Sequence, residues 1–167
     1  MSFFHKLKTI TPFAYLHFIF LYLSFILSEL YFFSSKGVDF PDYFKYIEYF
    51  LYDEIQPTNN HGLFFYYVNL ITIYLRSSSL NSINEIVFFN NTIQVTNFLF
   101  YIIGIIGLFK VLKNSGYKRN SIYISLSVLH FIPKIIEMRV LLKPEIIVFM
   151  FLPWIILGID NYFKFGN

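Results

Sequence analysis

The chain has 167 residues, of which 56% are hydrophobic, 23% aromatic and 14% charged, and its formal net charge is +3. Soluble domains carry about 25% charged residues, so a soluble fold of this composition would leave far too much apolar surface in water, and an all-α integral membrane protein is expected. The small net charge comes without the basic cluster that a nucleic-acid partner would call for, and the absence of cysteine excludes disulfides, Cys-ligated zinc and thiol nucleophiles.

The first apolar run covers 12–33, which at about 1.5 Å per residue matches a hydrocarbon core of roughly 30 Å. His5, Lys6 and Lys8 precede it. It is too long for a signal h-region and has no small-residue cleavage site, so it is read as a retained span. Pro12 near its start is tolerated because an early helical position needs no N–H partner. Glu29, close to the far end, reads either as an interfacial or helix-paired carboxylate or as the wall of a cavity.

The loop 34–87 follows. Phe40, Tyr43, Phe44, Ile47, Phe50 and Leu51 recur at three- and four-residue spacing, which predicts a helix with one apolar face. Asp39, Asp42, Lys45, Tyr46 and Glu48 occupy the remainder, so this helix is expected to lie in the membrane interface. Gln56-Pro57-Thr58-Asn59-Asn60-His61-Gly62 reads as a turn. The apolar stretch 63–75 is short for a crossing and reads as a second interfacial or re-entrant helix.

Three further spans are expected, over 88–112, 121–137 and 145–160. Gly104 and Gly107 in the second span offer another helix a close approach. The third is interrupted late by Pro133, and the fourth is short, so it is either tilted or incomplete. His17 and His130, inside spans and without an evident ligand partner, are expected to hydrogen-bond between helices. Lys134 and Glu137, three apart, are expected to pair with each other.

Lys6 and Lys8 flank the first span on one side, and Lys110, Lys113, Lys118 and Arg119 come out on that same side. The loop 34–87 holds Asp39, Asp42, Glu48, Asp53, Glu54 and Glu85 against Lys36, Lys45 and Arg76. The positive-inside rule then puts the N-terminus in the cytoplasm and the acidic loop outside, and Arg139 and Lys143 emerge on that outer face. A bacterial inner (plasma) membrane fits this arrangement.

Span, two interfacial helices, then span, with acids on the first interfacial helix, resembles the opening of the GT-C superfamily of integral-membrane glycosyltransferases, which includes protein O-mannosyltransferases and lipid A aminoarabinose transferases. Asp42-Tyr43-Phe44-Lys45-Tyr46 stands where that family carries Asp-Glu followed shortly by Tyr. His61-Gly62-Leu63-Phe64-Phe65-Tyr66-Tyr67 resembles its His-Pro-Pro-Leu-Tyr-Tyr-like stretch, and Arg139-Val140-Leu141-Leu142-Lys143-Pro144-Glu145 its Arg-Pro-Glu-like start of a later span. Tyr43 and Gly62 depart from the family pattern, and polysaccharide polymerase-like membrane proteins with a Gly-x-Asp-x-x-x-Tyr loop fit nearly as well. Family members are much longer, so the chain is expected to be an N-terminal fragment or one part of a split enzyme, completed by further membrane helices or subunits.

The resemblance implies transfer of a sugar from a polyprenyl-phosphate carrier to a hydroxyl acceptor, with inversion at the anomeric carbon. Such chemistry needs a base at headgroup depth and cations beside the departing phosphate. Asp42 is the candidate base and Asp39 the second choice; the structural alternative is that both acids cap or begin the interfacial helix. His61, Arg139, Lys143 and Tyr46 are the candidate substrate and phosphate contacts, Arg as a bidentate fork and Lys as a point charge. No His, Asp or Glu grouping has metal-ligand spacing, and a divalent cation at Asp39 and Asp42 is left open. There is no Gly-rich phosphate loop, Ser-His-Asp set or nucleotide fingerprint. The competing readings are a non-catalytic multi-span subunit and a small transporter or channel, the latter requiring polar residues that face each other deep within spans.

Overall fold

The computed structural model describes residues 11–34, 68, 71, 72, 75, 85–140 and 145–165. Among them the regular elements are five helices and no strand: α1 (Pro12–Ser34), α2 (Glu85–Asn114), α3 (Arg119–Leu129), α4 (Pro133–Val140) and α5 (Glu145–Phe165). The all-α class expected from composition is what the described residues form. The interfacial helices expected within 34–87 fall almost wholly outside them. Val68, which is described, packs against the core of the bundle.

Each helix begins and ends for a local reason. Pro12 occupies the first helical position of α1, and the Thr11 carbonyl accepts from the Ala14 N–H at 2.9 Å. Glycine closes α2. Gly116 has a φ of +86°, its N–H donates to the Lys113 carbonyl at 3.1 Å, and the Tyr117 N–H donates to the Leu112 carbonyl at 3.2 Å. This pair of bonds is the Schellman arrangement, in which a left-handed residue lets the last carbonyls find donors. It turns the chain back into α3 within four residues.

The third expected span is broken. Past Leu129 the N–H groups of Phe131 and Ile132 reach back only three residues, to Val128 and Leu129. Pro133 has no N–H to continue the ladder and disfavours helical backbone at the residue before it. The helix therefore restarts at Pro133, with the Ile132 carbonyl receiving the N–H groups of Ile135 and Ile136 at 2.9 and 3.0 Å. The axes of α3 and α4 differ by 73°. The expected Lys134–Glu137 pair closes at 2.9 Å on the exposed side of α4.

The fourth expected span is longer than its apolar core. α5 has 21 residues and runs to Phe165, with Asp160 and Lys164 paired across one turn at 2.7 Å beyond the apolar stretch. The helix thus extends five residues past the end expected at 160.

Among the described residues two stretches are long and apolar enough to cross a membrane, Ile93–Asn114 and Glu145–Lys164. The pair Arg119–Leu129 with Pro133–Arg139 makes a third if its halves count as one crossing, and α1 contributes the shorter apolar stretch Pro12–Leu27. Less than half of each of the two long stretches is buried inside the bundle. Apolar side chains there, such as Leu99, Val148 and Ile155, face outward, as Ile19 and Tyr22 do on α1, an arrangement that lipid tolerates and water does not.

Helix directions follow from the contacts. Phe109 meets Tyr123 and Tyr101 meets His130, so α3 runs back along α2. His17 meets Tyr123, Phe20 meets Phe131 and Ser24 meets Arg139, so α1 runs alongside α3 and α4 in the same direction. Tyr101 stacks on Phe149, and Gly107 faces Pro153 and Trp154, so α5 runs parallel to α2. Four legs thus alternate in direction, with α3 and α4 set between α1 and α2. Ser34, Glu85, Val140 and Glu145 lie toward one end of the bundle. Thr11, the 115–118 turn and Phe165 lie toward the other.

The most extensive pairing is α2 with α5, and the two glycines expected to admit a neighbour do so. A methyl group on Gly104 would stand 2.7 Å from the Phe149 ring and 2.8 Å from the Phe149 carbonyl oxygen; on Gly107 it would stand 2.8 Å from Trp154 Nε1. Pro153 explains the exposed carbonyl. Lacking an N–H, it leaves the Phe149 oxygen four residues earlier without its helical donor, and Gly104 lies on the side of α2 that faces this oxygen. Trp154 Nε1 donates to the Ile103 carbonyl at 3.1 Å, and the Lys110 amine lies 4.5 Å from the Trp154 ring centre. Gly104→Leu is expected to lower the stability of the detergent-solubilised protein by about 1–3 kcal/mol, measured as a lower melting temperature. Gly158→Ala, in α5 with nothing within 4 Å of the added methyl, is expected to raise it by about 0.5–1 kcal/mol.

Candidate functional site

The break between α3 and α4 gathers the buried polar side chains of four helices. His17 and Ser24 come from α1, Tyr101 from α2, His130 from the break and Arg139 from the last turn of α4; none is more than 4% exposed. Two chains of hydrogen bonds run through them.

The first chain joins α2, the break and α1. The Tyr101 hydroxyl is bonded to His130 Nδ1 at 2.5 Å, and His130 Nε2 faces His17 Nδ1 at 3.4 Å. A buried tyrosine needs a partner for its hydroxyl, and the carbonyls of its own helix are already used by the backbone ladder. The 73° turn brings the ring of His130 to it. The expectation of hydrogen bonding between helices through His17 and His130 is met by this contact.

The second chain is built on Arg139. Its Nη1 donates to Ser24 Oγ at 2.8 Å, and its Nη2 donates to the His130 carbonyl at 3.1 Å and to the Ser24 carbonyl at 3.4 Å. Ser24 in turn donates its own hydrogen to the Leu21 carbonyl at 2.7 Å, which leaves its lone pairs for the guanidinium. The guanidinium carbon lies 4.9 Å from the Tyr101 ring centre. Thus α4, although only eight residues long, ties its charged end to α1 and to a carbonyl at the C-terminal end of α3, where a helix dipole favours a cation.

Electrostatically, Arg139 is under-compensated. Among the described residues no carboxylate pairs with it; the ion pairs there are Lys134–Glu137 and Lys164–Asp160. Its Nε is buried and has no acceptor. A buried charge without a counter-charge costs several kcal/mol. Neutral oxygens and an aromatic face offset part of this.

Of the residues singled out in the sequence, Arg139 is brought into this cluster. Asp39, Asp42, Tyr46, His61 and Lys143 lie outside the described residues. Among the described residues no group of three or more His, Asp or Glu could hold a metal ion. The sequence left out Tyr101 and Ser24. Tyr101 is one of 14 tyrosines, and Ser24 sits unmarked in an apolar run; the only signal was that a buried hydroxyl must find a partner. Further along the inward face of α2, Gln94, Thr96 and Asn97 are also buried.

No protein-family model matches the sequence, and neither a curated protein nor a solved structure matches it. The cluster therefore stands on its geometry. Tyr101→Phe is expected to cost about 1–3 kcal/mol, because His130 Nδ1 loses its donor in a buried place. Arg139→Lys is expected not to be conservative, since a single ammonium cannot reach both Ser24 and the His130 carbonyl as the fork does. A double-mutant cycle of Arg139→Lys with Ser24→Ala, followed by thermal unfolding in detergent, is expected to give a coupling of about 0.5–3 kcal/mol.

Proposed function

We propose that the chain is the N-terminal part of a membrane glycosyltransferase that moves a sugar from a polyprenyl-phosphate donor to a hydroxyl acceptor on the outer face of a bacterial plasma membrane. The observation that carries this reading is Arg139, a buried guanidinium with an unused Nε and no carboxylate partner among the described residues. A departing lipid phosphate has the charge and the oxygen acceptors that such a group lacks. The resemblance of the Asp42–Tyr46, His61–Tyr67 and Arg139–Glu145 segments to the GT-C pattern supports it from the sequence.

Helix directions support the topology. α1, α2, the broken pair α3–α4 and α5 are four membrane legs on this reading, the third bent within the bilayer, and two interfacial helices belong to 34–87. The chain joins that loop at Ser34 and Glu85, and the 141–144 segment at Val140 and Glu145, all toward one end of the bundle. The segments that carry Asp39, Asp42, Tyr46, His61 and Lys143 in the sequence thus join the described helices at the end where Arg139 lies. Lys110, Lys113, Lys118, Arg119 and Lys164 mark the opposite end as cytoplasmic, together with the N-terminus.

In the reaction, Asp42 takes the proton of the acceptor hydroxyl, with Asp39 as the second candidate. The acceptor oxygen attacks the anomeric carbon from the face opposite the phosphate, and the bond from that carbon to the phosphate oxygen breaks with its electron pair leaving on the lipid phosphate. Arg139, Lys143 and His61 hold the developing charge, and Tyr46 orients the substrate. A divalent cation at the two aspartates would serve the same end. Donor lipid reaches the site from the bilayer.

A second reading, a multi-span subunit without chemistry of its own, draws on the fact that Arg139 already commits Nη1 and Nη2 to Ser24 and His130. Sugar transfer from polyprenyl-phosphate donors in membranes carrying the full chain separates the two. Asp42→Asn is expected to lower the rate by about 10²–10⁴-fold, the worth of a general base. Full activity in both Asp42→Asn and Asp39→Asn would rule out the catalytic assignment and leave the subunit reading.

A further inference from the structure

We propose that the turn between α2 and α3 is an interaction surface for anionic phospholipid, with Lys113, Lys118 and Arg119 holding the phosphate of a glycerophospholipid headgroup. The proposal needs α2 and α5 to lie in a bilayer and is independent of sugar transfer.

The turn is pinned by its own backbone and lies open to the surroundings. The left-handed Gly116 fixes its course, together with the bonds from the Gly116 and Tyr117 N–H groups to the Lys113 and Leu112 carbonyls. Ser115 Oγ donates to the Val111 carbonyl at 3.0 Å, and the Ile122 N–H donates to the Lys118 carbonyl at 3.1 Å, which starts α3. The cations of the turn are thus not needed to hold it, and every residue from Lys113 to Ser121 is exposed.

Its charge is uncompensated. The sequence has no acidic residue between Glu85 and Glu137. Asp160 lies toward the same end of the bundle on α5, but it pairs with Lys164 at 2.7 Å. Among the described residues Lys113, Lys118 and Arg119 make no ion pair. Lys110 differs from them, since its amine lies 4.5 Å from the Trp154 ring centre and is held against α5. Lys113 suits the last turn of α2 through the helix dipole, whereas Lys118 and Arg119 stand at the start of α3, where the dipole disfavours a cation. Helix stability gives no reason for these two residues, and an anion outside the chain does.

Position selects that anion. The apolar stretch of α2 ends at Asn114 and that of α5 at Lys164, so the turn begins where the hydrocarbon ends. Tyr117 is exposed beside the cations, and Tyr162 and Phe163 are exposed on the last turns of α5, which is the aromatic placement of a membrane–water interface. At that depth the abundant anion is lipid phosphate. Lysine and arginine meet a phosphodiester with both charge and hydrogen-bond donors, whereas a zwitterionic headgroup brings its own cation. Among the described residues the opposite end has no matching patch. Glu85 begins α2 there, Glu145 begins α5, and Arg139 turns inward.

The chain has no cysteine, so one introduced residue carries a single fluorophore. Asn120→Cys places it beside the turn, and Val148→Cys, exposed near the start of α5, is the control. The full chain is reconstituted in phosphatidylcholine vesicles in which a small fraction of lipid, either phosphatidylglycerol or phosphatidylcholine, carries a nitroxide near its glycerol. The ratio of quenching by the two labelled lipids reads the enrichment of anionic lipid beside the probe. A surface cation favours anionic lipid by roughly fivefold, so a ratio of at least about five is expected at Asn120 and about one at Val148. Replacing Lys113, Lys118 and Arg119 together by glutamine, at exposed positions that the fold does not use, is expected to abolish the preference. Lys118→Gln alone is expected to lower it severalfold, and Lys110→Gln, the same loss of charge, to leave it unchanged. Equal quenching by the two lipids at Asn120, the same preference at Val148, a preference that survives the triple substitution, or an equal fall in Lys110→Gln and Lys118→Gln would each overturn the proposal.

Discussion

Arg139 is the tie on which the described bundle depends. Pro133 ends the hydrogen-bond ladder of α3, and without another contact the short α4 would have only its own turns to hold it, too few for an isolated helix. The guanidinium supplies that contact by reaching across two elements at once. It takes a carbonyl at the C-terminal end of α3 and the hydroxyl of Ser24 on α1. The same group that fixes the break therefore fixes where α1 lies against it. The cost of burying the charge is set against this, and the Tyr101 ring and three oxygen acceptors offset part of it.

A second constraint holds the other side. The α2–α5 pair approaches closely because Gly104 and Gly107 carry no side chain where Phe149 and Trp154 press in. Pro153 contributes by freeing the Phe149 carbonyl, which the glycine face can approach and a methyl group could not. The two halves of the bundle are thus built by opposite means. One closes on small residues and dispersion, and the other on buried polar groups that must satisfy one another.

Much of the secondary structure was legible because its causes are local. The apolar runs, the break at Pro133 and the Lys134–Glu137 pair each follow from a few neighbouring residues. The extent of α5 was less legible: a window of apolar residues ends at about position 160, whereas the helix continues through an Asp160–Lys164 pair. The cluster was legible only in fragments. His17 and His130 stood out as polar residues in apolar runs, but they are 113 positions apart, and nothing in either stretch says that they meet. Arg139 was read by its position in the chain as an outward cation, because an eight-residue helix gives too little pattern to tell which face is turned inward.

The sequence by itself determined that this protein is helical, that its apolar stretches suit lipid, and where the third of them bends, because ladder geometry and proline's missing N–H act over a few residues. It also carried the motifs that resemble lipid-linked sugar transferases. Only the tertiary structure decided that Arg139 turns inward to Ser24 and His130, that Tyr101 finds His130, and that α5 lies parallel to α2 against two glycines. Those outcomes depend on a 73° change of direction and on the meeting of side chains from four helices. Buried donors and acceptors take whichever partner the packing brings within about 3 Å, and that choice is made in space, not along the chain.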